Sequence, residues 1–556
     1  MPGSGDFDYI IVGAGSAGCV LANRLGEDPG VRILVLEAGG SEKSVIVDMP
    51  AALSIPMNTA RFNWGMKTEP EPGLAGREVN LPRGKGLGGS SSINGMCWVR
   101  GNPMDYELWE ALGATGWRWS NVLPYFQRLE GVQGGGPLRG TDGPVEVRRG
   151  PESNPLYQAF VEAGVQAGYA RSANMNEVQH EGFGPMEMNV GDGLRMSAAR
   201  AYLRPAMARG NVRVITGALV EHVAFEGRRA THVVFNARGR QRKVKAKREV
   251  VLSAGSIMSP MILKRSGVGP AAELKQHGIA VIHDAPQVGE NLMDHPHISC
   301  GVHLKPAGRL PPHQRRHIYF ALRYSSGLAD CTPGDMFMMP VNRAGWHPLG
   351  KRMGSLVFCV NKSYSRGQVR LSKDPRAEPF VDINMLSDGR DLRRLVGAYK
   401  LLYRIMESPD VKAMTNFWFL AGYSDAVRKI SIKKASNWMQ TAAAAAIFGA
   451  SKASREWLAR QRFGDLDRIH KIVKDDDAIA DWIKSSVYSG WHVSGSCRMG
   501  PDGDKMAVLD ARCRVRGIDG LSVVDASAMP TAVSANTNIS TIAIAERVAE
   551  LTRESG

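Results

Sequence analysis

Tyr9-Ile10-Ile11-Val12-Gly13-Ala14-Gly15-Ser16-Ala17-Gly18 decides how the chain folds. Tyr9 to Val12 is a short unbroken apolar run, as a strand buried on both faces requires. Ser16 to Leu25 has helical spacing, Pro29-Gly30 punctuates the return, and Val31 to Leu36 is a second β-rich apolar run. Strand, turn, helix and strand in this order predict the opening of a doubly wound parallel sheet. Gly13 permits the tight turn, Gly15 lets a pyrophosphate approach the backbone, and Gly18 lets helix and strand pack closely. The helix beginning at Ser16 supplies unpaired N–H groups and a partial positive charge for phosphates. Such a glycine pattern alone also occurs in a simple turn. Here the second strand ends at Glu37, nineteen residues beyond Gly18, where a carboxylate accepts bonds from ribose hydroxyls and repels a 2′-phosphate. A dinucleotide is expected, NADP is disfavoured, and these residues do not choose between FAD and NAD.

Working outward, Gly39 to about Gly101 is Gly- and Pro-rich with few periodic segments, the mark of a long binding loop. Within it, Pro82 to Met96 holds five glycines and three serines and no acidic residue. Small residues let backbone lie against a flat ligand, and the serines and Asn94 add hydrogen-bonding groups. A flexible linker is the bland alternative; the apolar segment Met96 to Val99 that follows favours a packed loop. Strand-like alternation returns at Val212 to Phe235, and Val250 to Leu252 leads into Ser253-Ala254-Gly255. From about Cys300 to Trp482 no second dinucleotide motif occurs, and Gln368–Leu371 reads as strand while Asp391–Met406 and Asp475–Ile483 read as helices.

The chain has 556 residues, 62 of them Gly, with 43% apolar residues, which fits an α/β protein of two to four domains. No apolar run approaches the ~18 residues of a membrane span. Asp6 and Asp8 stand where a secretory signal carries Lys or Arg. Seven cysteines without a CxxC pair point to reduced thiols and a cytoplasmic setting. The net charge is +16, but the densest basic run, Arg238 to Arg248, reads as a solvated hairpin edge, and no nucleic-acid signature accompanies it. Residues 430–462 are Ala-rich and basic, with Trp438, Ile447, Phe448, Trp457 and Leu458 at roughly helical spacing. They read first as a helical insertion packed on its own domain, and second as a surface-seeking segment for the inner membrane face.

Near the carboxyl end, Trp491-His492-Val493-Ser494-Gly495 places a His beside Gly-rich backbone. Leu521 to Asp525 reads as a strand, Ala526 to Pro530 turns the chain, and Ile539 to Leu551 is helical with Asn538 as its N-cap candidate. Asp294-His295-Pro296-His297 has two His at metal-capable spacing, but without further ligands it reads as a structural surface segment, and no metal is expected. His180-Glu181 lacks the second His of a zinc-protease motif.

The glycine motif, Arg83 to Met96, Ser253 to Pro260 and the carboxyl-terminal segments together resemble the glucose–methanol–choline (GMC) oxidoreductases. Within that family the chain is most similar to bacterial alcohol and choline dehydrogenases and to hydroxymethylfurfural oxidase. The resemblance spans essentially the whole chain. It implies an α/β protein, α+β overall, with a Rossmann-type FAD-binding domain (1–160, 195–300 and 487–556). A discontinuous substrate-binding domain of antiparallel sheet plus helices would cover 161–194 and 301–486. It further implies FAD held by Gly13, Gly15, Ser16, Gly18, Glu37, Ala38, Arg83, Gly88, Gly89, Asn94, Gly95, Met96, Val220, Ala254, Asp525 and Ala526. Family members with covalent flavin carry a His where this chain has Ile93, so non-covalent FAD is expected.

By the same resemblance His492 and Asn536 face the flavin N5. His492 as neutral imidazole then takes the hydroxyl proton of a small-molecule alcohol, and Asn536 orients its oxygen. Val357, Phe358 and Cys359, with Trp491, are expected to line the substrate pocket. Cys359 replaces an aromatic residue of hydroxymethylfurfural oxidase, which speaks for a longer or bulkier alcohol. A carboxylate in an aromatic cage, as a quaternary ammonium needs, is not evident. Electrons would pass to oxygen or a quinone. A hydroxynitrile lyase or a light-driven fatty-acid decarboxylase on the same scaffold is the alternative, and a non-catalytic nucleotide-binding protein the remotest.

Overall fold

The computed structural model describes residues 7–52, 54–150, 153–177, 181–314, 317–422 and 425–554; His180 lies outside them. The first segment folds as its pattern demands. Strand β1 is Phe7–Val12, helix α1 is Ser16–Leu25 and strand β2 is Ile33–Glu37. Strand β2 is wholly buried and β1 nearly so, because parallel strands are covered on both faces. In the sheet, Val212–Thr216 lies parallel to β2, β2 to β1, β1 to the end of Arg240–Leu252, and that end to Leu521–Val523. The register sets Val12 beside Leu36 and Leu252, and Leu252 beside Val523. Four strands therefore finish at one level, which makes a crevice at their carboxyl ends, where doubly wound sheets bind ligands. Strands brought from the two ends of the chain build that edge together.

The long strand Arg240–Leu252 continues outward into an antiparallel ribbon with Arg229–Ala237 and Ala218–Glu226. The turn at Arg238 and Gly239 has positive φ at both residues, 53° and 71°, as a tight hairpin needs. Its basic side chains stand largely in solvent, as expected of a hairpin edge.

A second sheet is antiparallel throughout. Its order is Thr415–Ala421, Pro296–Leu304, Met353–Val360, Met336–Val341, Phe320–Tyr324 and Gly182–Pro185. Tyr488–Ser489 pairs with Pro296 and His297 at one end. Pro296–Leu304 is thus one continuous strand of this sheet, so the expected division at residue 300 falls inside a strand, and residues 488–489 also join this layer. The connection from 252 to 296 carries helices Gly255–Arg265 and Ala271–Gln276, and the partners of Pro296–Leu304 lie far along the chain, beyond the reach of local pattern.

Residues 430–462 lie on helices Asp425–Ser431, Ala435–Ala450 and Lys452–Phe463. Phe448 and Leu458 pack with Phe417 and Phe463 against the edge of the second sheet, which is the packed-insertion reading. Trp438 and Trp457 stay more than half exposed, at 52% and 59%. Among the described residues no helix is long and apolar enough to cross a membrane.

Candidate active site

The crevice is a cavity of about 430 Å³ at the carboxyl edge of the parallel sheet. Its nucleotide end is backbone packed on backbone. Gly13 has φ +100°, and a Cβ there would lie 2.6 Å from the Ser253 carbonyl oxygen. A Cβ on Gly18 would lie 1.9 Å from the Gly13 carbonyl oxygen, and one on Gly89 2.8 Å from the Gly15 Cα. The Gly88 N–H donates to the Ala14 carbonyl at 2.7 Å. The two glycine loops therefore seat on each other, and only residues without a Cβ fit between them.

Glu37, buried at the end of β2, accepts N–H bonds from Ala14 (2.9 Å), Gly39 (2.7 Å) and Gly86 (3.0 Å). Burial raises its pKa and these three donors work against the rise. Asp525 plays the matching part after the last parallel strand. It accepts from the N–H groups of Ser527 (2.8 Å) and Gly255 (2.8 Å) and from the Ser259 hydroxyl (2.6 Å). It thereby caps one short helix and fixes the start of another.

Fourteen of the sixteen expected cofactor residues line this cavity: Gly13, Gly15, Ser16, Glu37, Ala38, Arg83, Gly89, Asn94, Gly95, Met96, Val220, Ala254, Asp525 and Ala526. Gly18 and Gly88 do not; they stand behind the lining as the packing residues just described. Helix α1 starts from Gly15 with no side-chain cap, which leaves its first N–H groups open to a phosphate. The residues present thus fit FAD. Glycine loops packed too closely for a Cβ, an uncapped helix start and a buried carboxylate lie where the pyrophosphate and ribose belong.

Asn538 corrects an expectation. The last helix is Thr537–Glu554, so Asn538 is in its first turn rather than at its cap. Its side-chain oxygen accepts from the Ser16 hydroxyl at 2.6 Å, which ties the first helix to the last.

At the other end of the cavity, His492 Nε2 is 3.0 Å from the Asn536 side-chain nitrogen. Each comes from a pinned loop. The Asn536 loop is held by buried Lys362, whose ammonium donates to the Ala532 carbonyl at 2.6 Å and to Asp105 at 2.8 Å. Asp105 in turn accepts from the Ser534 N–H at 2.7 Å. The His492 loop is held by Asp294, which accepts the N–H groups of His492 and His295 at 2.8 Å each and the Ser489 hydroxyl. Trp491 adopts a left-handed φ of +63°, and its carbonyl receives an Arg83 N–H. Burial pushes that guanidinium down to about 10.

His492 Nδ1 lies 3.0 Å from His295 Nδ1. With the Asn536 amide donating to Nε2, the His492 proton sits on Nδ1 and is donated to His295. This leaves the Nε2 lone pair toward the cavity. Burial above all, then His295, His297 and Arg83, hold the His492 pKa well below 6.5. The imidazole is neutral at physiological pH.

Of the expected substrate residues, Val357 and Trp491 line the cavity, and Phe358 and Cys359 do not. Strand alternation turns Phe358 to the opposite face, into the core of the second sheet. Cys359 lies opposite His297 in the ladder and is buried, its Sγ 3.5 Å from the Asn361 side-chain oxygen. The size of residue 359 therefore does not set the pocket. Ile318, Met339, Val341 and His297 line it instead.

Asp294-His295-Pro296-His297 is likewise not a surface segment: Asp294 and His295 are fully buried, and His297 is 8% exposed. The signal was present as two His and an Asp in four residues, but the partner that gives them a role lies some two hundred positions away. Among the described residues no group of three or more His, Cys, Asp or Glu side chains is arranged to hold a metal ion.

Two family models, both described as GMC oxidoreductase, match residues 7–297 and 363–545. The chain is 38% identical over 572 residues to an oxygen-dependent choline dehydrogenase of Photobacterium profundum, covering 98% of this chain and 92% of the relative. It is 39% identical to the Vibrio vulnificus protein of the same name, covering 98% and 94%. Among solved structures, pyridoxine 4-oxidase from Mesorbium loti superposes with a TM-score of 0.83 at 29% identity, covering 99% of each chain. Formate oxidase of Aspergillus oryzae, at 21% identity and a TM-score of 0.82, shares the fold and covers 100% of this chain and 99% of its own. The protein belongs to the GMC oxidoreductase family, whose members are FAD-dependent enzymes.

Proposed function

We propose that the protein oxidises an alcohol to an aldehyde or ketone, with His492 as general base and Asn536 orienting the substrate oxygen. The observation that carries this is the 3.0 Å approach of His492 Nε2 and the Asn536 amide at the end of the glycine-lined cavity. A carbinol oxygen that replaces this direct contact donates its proton to the imidazole lone pair and accepts from the amide N–H. The neutral state of His492 keeps that lone pair available once the amide turns to the substrate oxygen. FAD held in the cradle would supply a two-electron acceptor for the carbinol hydride. Asn536 carries no titratable proton in this range, so its part is to hold the oxygen in line. A fatty-acid decarboxylase acts on a carboxylate, which offers no hydroxyl proton for this base to take.

Ile93, buried with Val47, Met57 and Phe62, offers no nucleophile to the flavin, which favours non-covalent FAD. The parallel sheet carries the cofactor and the antiparallel sheet roofs the substrate end. Oxygen or a quinone takes the electrons. The exposed Trp438 on its Ala-rich helix and Trp457 on the basic helix Lys452–Phe463 favour peripheral contact with the inner membrane face for the quinone route. The test is anaerobic stopped flow with a panel of alcohols. His492→Ala is expected to lower the flavin reduction rate about 10²–10⁴-fold, and a near-wild-type rate overturns the assignment.

A further inference from the structure

At the reaction end of the cavity, His297 is the polar side chain that the proposed mechanism does not use. It lies on Pro296–Leu304, two residues from His295, with its ring centroid 5.7 Å from that of His492 and 5.9 Å from that of Tyr488. Its Nε2 is buried and has no hydrogen-bond partner. A buried polar atom left unpaired is costly, and native sites keep such atoms where a ligand completes them.

The charges around it narrow the ligand. Only two carboxylates line the cavity among the described residues, Glu37 and Asp525. Both belong to the nucleotide end and are saturated by backbone and hydroxyl donors. Asp294 is behind His492 and spent on its loop. The charged side chain that lines the reaction end among the described residues is the Arg83 guanidinium, and its sign is positive. A quaternary ammonium buried here would meet a like charge and no counter-ion, and desolvating an unpaired cation is prohibitive. The walls beside His297 are Tyr488, Trp491, Met339, Val341 and Val357, which suit an uncharged aromatic or apolar body.

We infer that His297 is a substrate-recognition residue that hydrogen-bonds a second polar group of an uncharged alcohol, and that choline is not a substrate. This rests on the alcohol-oxidation reading and departs from the substrate that the relatives' names carry. Burial pushes His297 down to about 4, so its ring is neutral at physiological pH and offers one N–H and one lone pair. A meta-substituted benzyl alcohol, with its second oxygen one ring away from the carbinol, serves as the probe for two imidazoles whose centroids are 5.7 Å apart.

The experiment uses the FAD-loaded full chain. Oxidised flavin is titrated with 3-hydroxybenzaldehyde, benzaldehyde and tetramethylammonium chloride, followed by the flavin difference spectrum. Anaerobic reduction is then measured with 3-hydroxybenzyl alcohol, benzyl alcohol and choline. The wild type is expected to bind the hydroxylated aldehyde about tenfold more tightly than benzaldehyde, the worth of one net hydrogen bond. Tetramethylammonium should produce no perturbation. His297→Leu should bring the preference within about twofold, and His297→Gln, which keeps a donor and an acceptor, should retain part of it.

Equal preference in wild type and His297→Leu overturns the inference, as does flavin reduction by choline. Choline reducing the flavin while the benzyl alcohols do not would refute His297 recognition and leave alcohol oxidation standing. No reduction by any alcohol would instead strike the underlying reading, while the aldehyde titrations still decide the role of His297. If His297→Leu does not fold, the glutamine variant and the wild-type choline test remain.

Discussion

His295 and His492 meet Nδ1 to Nδ1 at 3.0 Å, with ring planes at 71°. One nitrogen must donate and the other accept, so the pair couples two tautomers. With Asn536 donating to His492 Nε2, the proton between the rings belongs to His492, and the neutral His295 is its acceptor. Burial and the neighbouring His297 push His295 down to about 3, which keeps it in the acceptor state.

His295→Ala should therefore slow flavin reduction about tenfold, the loss of one net hydrogen bond to the base. Because His295 also helps to lower the His492 pKa, its removal should move the acid limb of the reduction-rate profile to higher pH. A merely structural role would lower the rate without moving that limb. Anaerobic stopped flow across pH measures both.

Gly18→Ala should give a colourless protein. Its Cβ would lie 1.9 Å from the Gly13 carbonyl oxygen, a backbone atom that cannot retreat without opening the phosphate turn. Visible flavin absorbance after reconstitution with excess FAD checks this, and retention of the yellow cofactor at wild-type occupancy would contradict it.

Acid precipitation of the holoprotein should leave the flavin in the supernatant, since buried Ile93 provides no side chain for a covalent link. Colour in the washed pellet would contradict non-covalent binding.

Acidification should destabilise the fold between pH 6.5 and about 4. Burial lowers His295 to about 3 and His297, His303 and His347 to about 4, against 6.5 in the unfolded chain. Unfolding therefore takes up protons between these values, and stability falls as pH falls. A buried carboxylate such as Glu71, raised to about 7 from 4.5, opposes this over the same range, one group against four histidines. Melting temperature measured from pH 6.5 to 3.5 tests the sign. A midpoint that holds constant between pH 6.5 and 4 would refute it.

Local pattern determined the opening of this protein. A run from Tyr9 to Gly18 with Glu37 behind it is readable because strand, turn and helix are set by neighbours in sequence, and glycine placement follows from backbone sterics alone. His492 and Asn536 were legible by resemblance. The remaining features were decided by tertiary structure, because they depend on partners far apart in the chain. Strand alternation and depth removed Phe358 and Cys359 from the pocket and admitted Met339 and Val341. A helix beginning two residues earlier moved Asn538 from cap to first turn. Folding also turned Asp294 and His295 from an apparent surface stretch into the buried support of the base and set His297 beside it, since a histidine's role is set by what faces its ring, and that is not a property of its own segment.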